Sequence, residues 1–341
     1  MASEARKWVR RVGLGAAAIL MIGGVYAGLR WDTLKARYAA RQLRTATTDE
    51  GRSSAARRLV GAGDAGTPHL VEALHSDDAE RCHAVAVALR DFLKDLPPAD
   101  PRFAAACRPH LHGFAGYSEV GQEAAFGLVP DFLHGAEPDA LPRCREIVRL
   151  ALKHRSADLR VRAVHVAMRP DLDQKADAAA CLQAPEAEVR RAAMLAVGPA
   201  GAGAPAVADE DLFVWLHDGD PQVQMLCEAA LGTRGLEPGQ IAAARKLTSP
   251  EASERLKLLI DLRWNRDAIR DPGPWLERLS RDADPAVRAG AARVACECKL
   301  AFAGWLDRLA RDDPDGTVRR IARFHRTRAA DLNQAGYGET P

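Results

Sequence analysis

The sequence predicts an all-α chain in which helical pairs stack as an α-α superhelix, preceded by one N-terminal transmembrane helix. The stretch from Trp275 to Ala295 shows two apolar stripes at helical spacing, separated by a turn at Asp282-Ala283-Asp284-Pro285. Its first half returns thirty residues later as WLDRLARD from Trp305. No strand-like alternation longer than four residues occurs. These observations favour repeated helices over a mixed or β fold.

The N-terminus contains the predicted anchor. Residues 1–11 form a basic flank, and residues 12–30 hold an uncharged run, 12–29, near the lower limit for a membrane-spanning helix. Its length favours a retained anchor, although Val25-Tyr26-Ala27 also suits a cleaved signal peptide. We therefore expect a single-pass membrane protein anchored by its N-terminus. Basic residues flank both ends, so the side of the membrane that holds the body stays open.

Residues 31–59 predict a basic helical connector. Trp31, Leu34 and Tyr38 are helically spaced among cations. Such a helix would either lie against anionic headgroups or stand in solvent.

The body repeats with a period of 30–40 residues. Each repeat is a pair of helices, and Arg288 lies near the start of the second helix of its pair. We use this position, called the register mark, to align the repeats. Its counterparts are Arg81, Gly121, Arg160, Arg190, Gln224, Arg255 and Arg319. An acid stands four residues before most of these marks, for example Asp284 before Arg288. We expect this carboxylate to cap or pre-charge the second helix, and the arginine to bond the corresponding acid of a neighbouring repeat.

The D-x-D-P-x-V-R-x-x-A pattern resembles HEAT repeats, and its short period is similar to the HEAT-like repeats of the phycobilin-lyase type. The resemblance covers residues 60–328, about eight helical pairs, and is clearest at 184–234 and 275–328. It implies a solenoid whose second helices line the concave side. A flexible tail is expected over 329–341.

The motifs that would indicate chemistry have structural explanations. Gly61 to Gly66 spells G-x-G-x-x-G, but the preceding residues are helical in pattern, which predicts an inter-helix turn. Cys296 and Cys298 would point to opposite sides of a helix. Cys107, His110 and His112 would converge only if Pro109 ends their helix, and a fourth zinc ligand is not evident. We predict no catalytic residues, no metal and no cofactor.

Surface binding is the remaining function. With 48 basic and 46 acidic residues, the net charge is only +2. The sequence shows no dense stripe of Lys and Arg, so we do not expect a nucleic-acid partner. We predict a membrane-tethered scaffold that binds a protein partner through its extended helical surface. The candidate contact residues are His83, Glu123, Arg162, Arg191, Lys257 and Arg320. The resemblance also implies an alternative, a lyase or enzyme accessory that holds a prosthetic group in the concave face, near Cys82 or His83.

Overall fold

The structure, a computed structural model, describes residues 31–134, 139–200, 205–264, 271–298 and 304–334. Every regular element in these ranges is helical, so the all-α prediction is confirmed. The chain divides into two compact units, residues 1–177 (unit 1) and residues 178–341 (unit 2).

The membrane-spanning part of the predicted fold class requires correction. Among the described helices none is both long and apolar enough to cross a bilayer. The longest of them, Gly316–Gln334, has 19 residues but carries five arginines. The predicted location, a single-pass membrane protein, is corrected by the same finding. The segment 12–30 on which both predictions depended lies outside the described residues.

Unit 1 is built from a succession of short helices. They are α1 (residues 31–45), α2 (Asp49–Gly61), α3 (Thr67–Leu74), α4 (Ala79–Lys94), α5 (Pro101–Gly113), α6 (Glu119–Phe126), α7 (Val129–Phe132), α8 (Ala140–Leu152) and α9 (Ala157–Ala167). Helix α2 packs on α4, α4 packs on α6, and α8 packs on α9. The boundary predicted at residue 60 falls inside α2, whose Leu59 is fully buried.

Helix α10 (Lys175–Ala179) spans the boundary, and unit 2 continues with a regular alternation. Its helices are α11 (Ala187–Val197), α12 (Asp209–Leu212), α13 (Pro221–Thr233), α14 (Pro238–Thr248), α15 (Ala252–Trp264), α16 (Gly273–Leu279), α17 (Pro285–Glu297), α18 (Gly304–Asp312) and α19 (Gly316–Gln334). Second helices pack on their successors, α11 on α13, α15 on α17, and α17 on α19. Each pair thus covers apolar surface that its neighbour exposes.

The predicted acid caps are present at the clearest repeats. The Asp284 carboxylate accepts the N–H groups of Ala286 and Val287 at the start of α17, with Pro285 in the first turn. Asp220 and Asp315 cap α13 and α19 in the same way. Such a cap contributes about 0.5–2 kcal/mol to helix stability.

The arginine at the mark joins adjacent pairs through what we call the arginine clasp. Arg288 Nε and Nη2 donate to the two oxygens of Asp313, at 2.7 and 3.0 Å. Arg288 Nη1 donates to the carbonyls of its own preceding turn. Asp313 in turn accepts the N–H of Asp315, the cap of α19. Arg190 and Asp218 form the same clasp, and so do Arg255 and Asp282.

One repeat replaces both clasp partners. Gln224 stands at the mark, and Ser249 stands where the next repeat would carry the acid. Gln224 donates to the carbonyl of Asp218 at 2.6 Å, and Ser249 accepts the N–H of Glu251. The backbone bonds of the turn therefore persist without an ion pair, because a neutral amide and a hydroxyl satisfy the same groups.

The G-x-G-x-x-G segment is a turn between two helices. Gly63–Ala65 forms a 3₁₀ turn that connects α2 and α3. Gly63 has a φ of 55°, which favours glycine. A Cβ on Gly66 would lie 1.9 Å from the carbonyl oxygen of Leu59. The glycines therefore serve a tight turn and a close approach of backbones.

Candidate functional site

An apolar groove crosses three consecutive second helices of unit 2. It has a volume of about 550 Å³ and lies on α15, α17 and α19. Its apolar lining includes Leu256, Leu259, Ile260, Val294, Val318 and Ile321. We call this feature the α15–α17–α19 groove. A concave, mainly apolar surface of this size is typical of a binding site.

Large apolar side chains stand exposed on α15 at the groove. Ile260 is 57% exposed and Trp264 is 72% exposed, and both line it. The guanidinium of Arg263 lies 4.6 Å from the Trp264 ring centroid, within cation–π range. Leu195 and Phe324, which are also exposed, occupy the same position as Ile260, five residues after their register marks. Apolar exposure therefore recurs on one face of the second helices.

Charged side chains also line this groove. Arg263 and Arg293 lie there, and Glu297 accepts from Arg263 at 2.8 Å and lies 4.0 Å from Arg293. Two guanidinium groups thus share one carboxylate. Asp315 lines the groove as well, so its charged lining consists of two arginines and one aspartate.

A glycine lets α15 and α17 approach each other under the groove. A Cβ built on Gly290 would lie 2.6 Å from Leu259 Cδ1. Gly290 lines the groove, so the absence of a side chain also leaves space there. The depth of the groove depends on this residue.

Three of the predicted contact residues come together in unit 1. His83, Glu123 and Arg162 line a second groove, of about 640 Å³, on the second helices α4, α6 and α9. Arg162 Nη1 donates to the carbonyl of Glu123 at 3.1 Å. Arg52, in the same groove, pairs with Asp49 and with Glu80. This groove carries charges of both signs, and Arg52 is paired within it.

The other three predicted residues lie on unit 2 and do not share one site. Arg191 donates to Gln222 of the next second helix at 2.6 Å. Lys257 donates to Glu254, a bond that raises the pKa of the lysine. Arg320 is exposed on α19. The sequence analysis missed Ile260 and Trp264. The signal that could have found them is that they are apolar residues at positions where the helical period predicts contact with solvent.

The thiols have structural surroundings. Cys82, named in the alternative hypothesis, is buried and bonds the carbonyls of Ala73 and Ser76, and burial raises its pKa to about 11. It is therefore a poor nucleophile for attaching a prosthetic group. Cys296 lies near the carbonyl of His325 and Cys298 near that of Leu262, on opposite neighbouring helices.

The proposed opening of α5 at Pro109 does not occur. The helix continues through Pro109 to Gly113, and the buried Cys107 and Leu111 pack in the core on either side of the proline. His110 is buried while His112 is exposed, so they do not converge. In the described ranges, no three His, Cys, Asp or Glu side chains are grouped so as to hold a metal ion.

Comparisons with known proteins do not assign the chain. No protein-family model and no curated protein matches it. The argument for function therefore depends on the grooves themselves.

Proposed function

We propose that the chain is a HEAT-like helical-repeat scaffold that binds a partner protein, with the α15–α17–α19 groove as its main contact surface. The observation that carries the proposal is the exposure of Ile260 and Trp264 beside an apolar groove. Large exposed apolar patches on soluble surfaces are typical of interaction sites. Second-helix faces are also the surfaces that repeat proteins commonly use for binding.

The partner that fits this surface is a segment with one apolar and one acidic face. The apolar face would cover Leu256, Ile260 and Ile321. Acidic side chains would meet Arg263 and Arg293. A helix laid in a groove presents such faces at i, i+3, i+4 and i+7. Complete burial of a large apolar side chain contributes about 1.5–3 kcal/mol, which makes Trp264 the expected hot spot.

Site-specific photo-crosslinking in the full chain tests the proposal. A benzoylphenylalanine at position 260 is expected to give a discrete adduct in lysate of the source cells. The matched control is position 214, because Val214 is also an exposed apolar residue and does not line the groove. An adduct at both positions, or at neither, would contradict the proposal.

Charge reversal tests the chemistry of the partner. Arg263→Glu together with Arg293→Glu is expected to remove the adduct formed from position 260, because an acidic segment would then be repelled. Trp264→Ala should weaken it as well. The control Arg326→Glu changes an exposed cation that does not line the groove. Equal adduct yields in all these variants would refute an acidic partner.

A further inference from the structure

A third cavity, in unit 1, is independent of both grooves. It has a volume of about 380 Å³ and lies where the turn after α2 meets α4 and α5. Apolar side chains form most of its wall, among them Val60, Leu70, Leu89 and Phe92. His110 lines it as well, although its residue surface is only 1% exposed. A cavity of this size suits a small molecule.

Tyr117 determines which hydrogen-bonding group His110 offers. The Tyr117 hydroxyl lies 2.8 Å from His110 Nδ1, and both residues are buried. Burial lowers the pKa of His110 to about 4 and raises that of Tyr117, so both are neutral at pH 7. A neutral phenol donates its O–H, and Nδ1 is the acceptor that it reaches. We assign the imidazole hydrogen to Nε2, the tautomer in which Nδ1 accepts this O–H.

The cavity side of His110 carries this hydrogen. Tyr117 holds the Nδ1 edge and does not line the cavity, so the rest of the ring, with Nε2, faces it. An acceptor lies nearby in sequence, because Pro109 has no N–H and the carbonyl of Ala105 lacks its helical donor. Ala105 also lines the cavity. One donor and one acceptor thus belong to the wall, beside the polar side chains of Asp64, Thr67 and Arg102.

Charge decides the class of ligand. Arg102, at the cavity, is engaged by Asp100 at 2.7 Å, and Asp64 contributes a negative charge. Among the described lining residues, no cation without an acidic partner is present to bind a carboxylate ligand. We propose that this cavity binds a neutral, largely apolar alcohol or phenol, whose hydroxyl accepts from His110 Nε2 and donates to the Ala105 carbonyl. A hydroxyl can do both with a single atom.

Calorimetric titration of the full chain with 4-propylphenol tests this site. We expect saturable binding that is at least tenfold weaker for propylbenzene, which lacks the hydroxyl, and for 4-propylbenzoate, which is charged. Ala106→Phe is expected to abolish binding, because Ala106 lines the cavity and is partly exposed. The control Ala104→Phe, on the same helix but outside the cavity, should bind as the wild type does.

Two outcomes would overturn the proposal. One is the absence of saturable 4-propylphenol binding, or binding that Ala106→Phe leaves unchanged. The other is a nitrogen-15 spectrum that places the His110 hydrogen on Nδ1 instead of Nε2. Because no groove residue takes part, these results leave the proposed scaffold function untouched.

Discussion

Replacing Arg288 by methionine is expected to lower the free energy of unfolding by about 3 kcal/mol. Arg288 is 9% exposed and Asp313 is 6% exposed, and methionine removes both hydrogen bonds between them. Breaking a buried ion pair from one side costs about 3–5 kcal/mol, because a charge stays buried without its partner. The lower end applies here, since Asp313 keeps the N–H of Asp315.

Urea unfolding at pH 7, followed by circular dichroism, measures this loss as a shift in midpoint. Gln224→Met is the matched control, because it occupies the same register and removes one neutral hydrogen bond, to the Asp218 carbonyl. Its expected cost is about 1 kcal/mol. If Arg288→Met costs no more than Gln224→Met, the clasp does not stabilise the stack.

Acid should remove the difference between wild type and Arg288→Met. The bond from Arg288 holds the pKa of Asp313 below its ordinary value. The unfolded chain therefore binds the proton more readily, and the stabilisation is complete above the ordinary pKa of about 3.9. It is lost as the pH falls through the lowered pKa. A difference that persists unchanged to low pH would refute an electrostatic origin.

Three further predictions concern other parts of the fold. Gly66→Ala should destabilise unit 1 by more than 2 kcal/mol, roughly the cost of overpacking, because its Cβ would meet the Leu59 carbonyl. Gly61→Ala should leave the stability unchanged, because a Cβ at Gly61 meets nothing within 4 Å. Equal urea midpoints for the two variants would contradict this prediction. Lowering the pH from 6.5 to 4 should cost up to about 3 kcal/mol, because burial lowers the pKa of His110 to about 4 and the unfolded chain takes up the proton. His110→Gln should make the free energy of unfolding less dependent on pH. An unchanged pH dependence in this variant would show that His110 is not its source. Buried thiols of raised pKa should react with an alkylating agent only on unfolding, as mass spectrometry would show, and labelling in the native protein would contradict this. They are Cys82, Cys144 and Cys227.

The local features of the fold were predictable from the sequence. Capping by Asp284 depends on a spacing of a few residues, and a helix beginning at Pro285 follows from it. Arg288 does bond an acid of the next repeat, but it is not the capping acid that the sequence predicted. Its partner, Asp313, lies two residues before the capping acid Asp315, and that choice depends on how two repeats are stacked.

The site was less accessible to sequence reasoning. Helical periodicity placed His83 and Arg162 on exposed faces, as the structure has them. Which exposed residues share a groove depends on the distance between neighbouring helices, and near α17 that distance depends on Gly290. Trp264 was missed because one apolar residue at a position where the period predicts solvent does not show whether neighbouring helices form a groove beside it.

Hydrogen exchange measured by mass spectrometry on Arg288→Met tests the central claim that each pair is held by its neighbours. The account predicts faster exchange in α17, α18 and α19, while α11 and α13, which keep the Arg190–Asp218 clasp, exchange as in the wild type. A uniform rise across all five helices, or no rise in any of them, would contradict it.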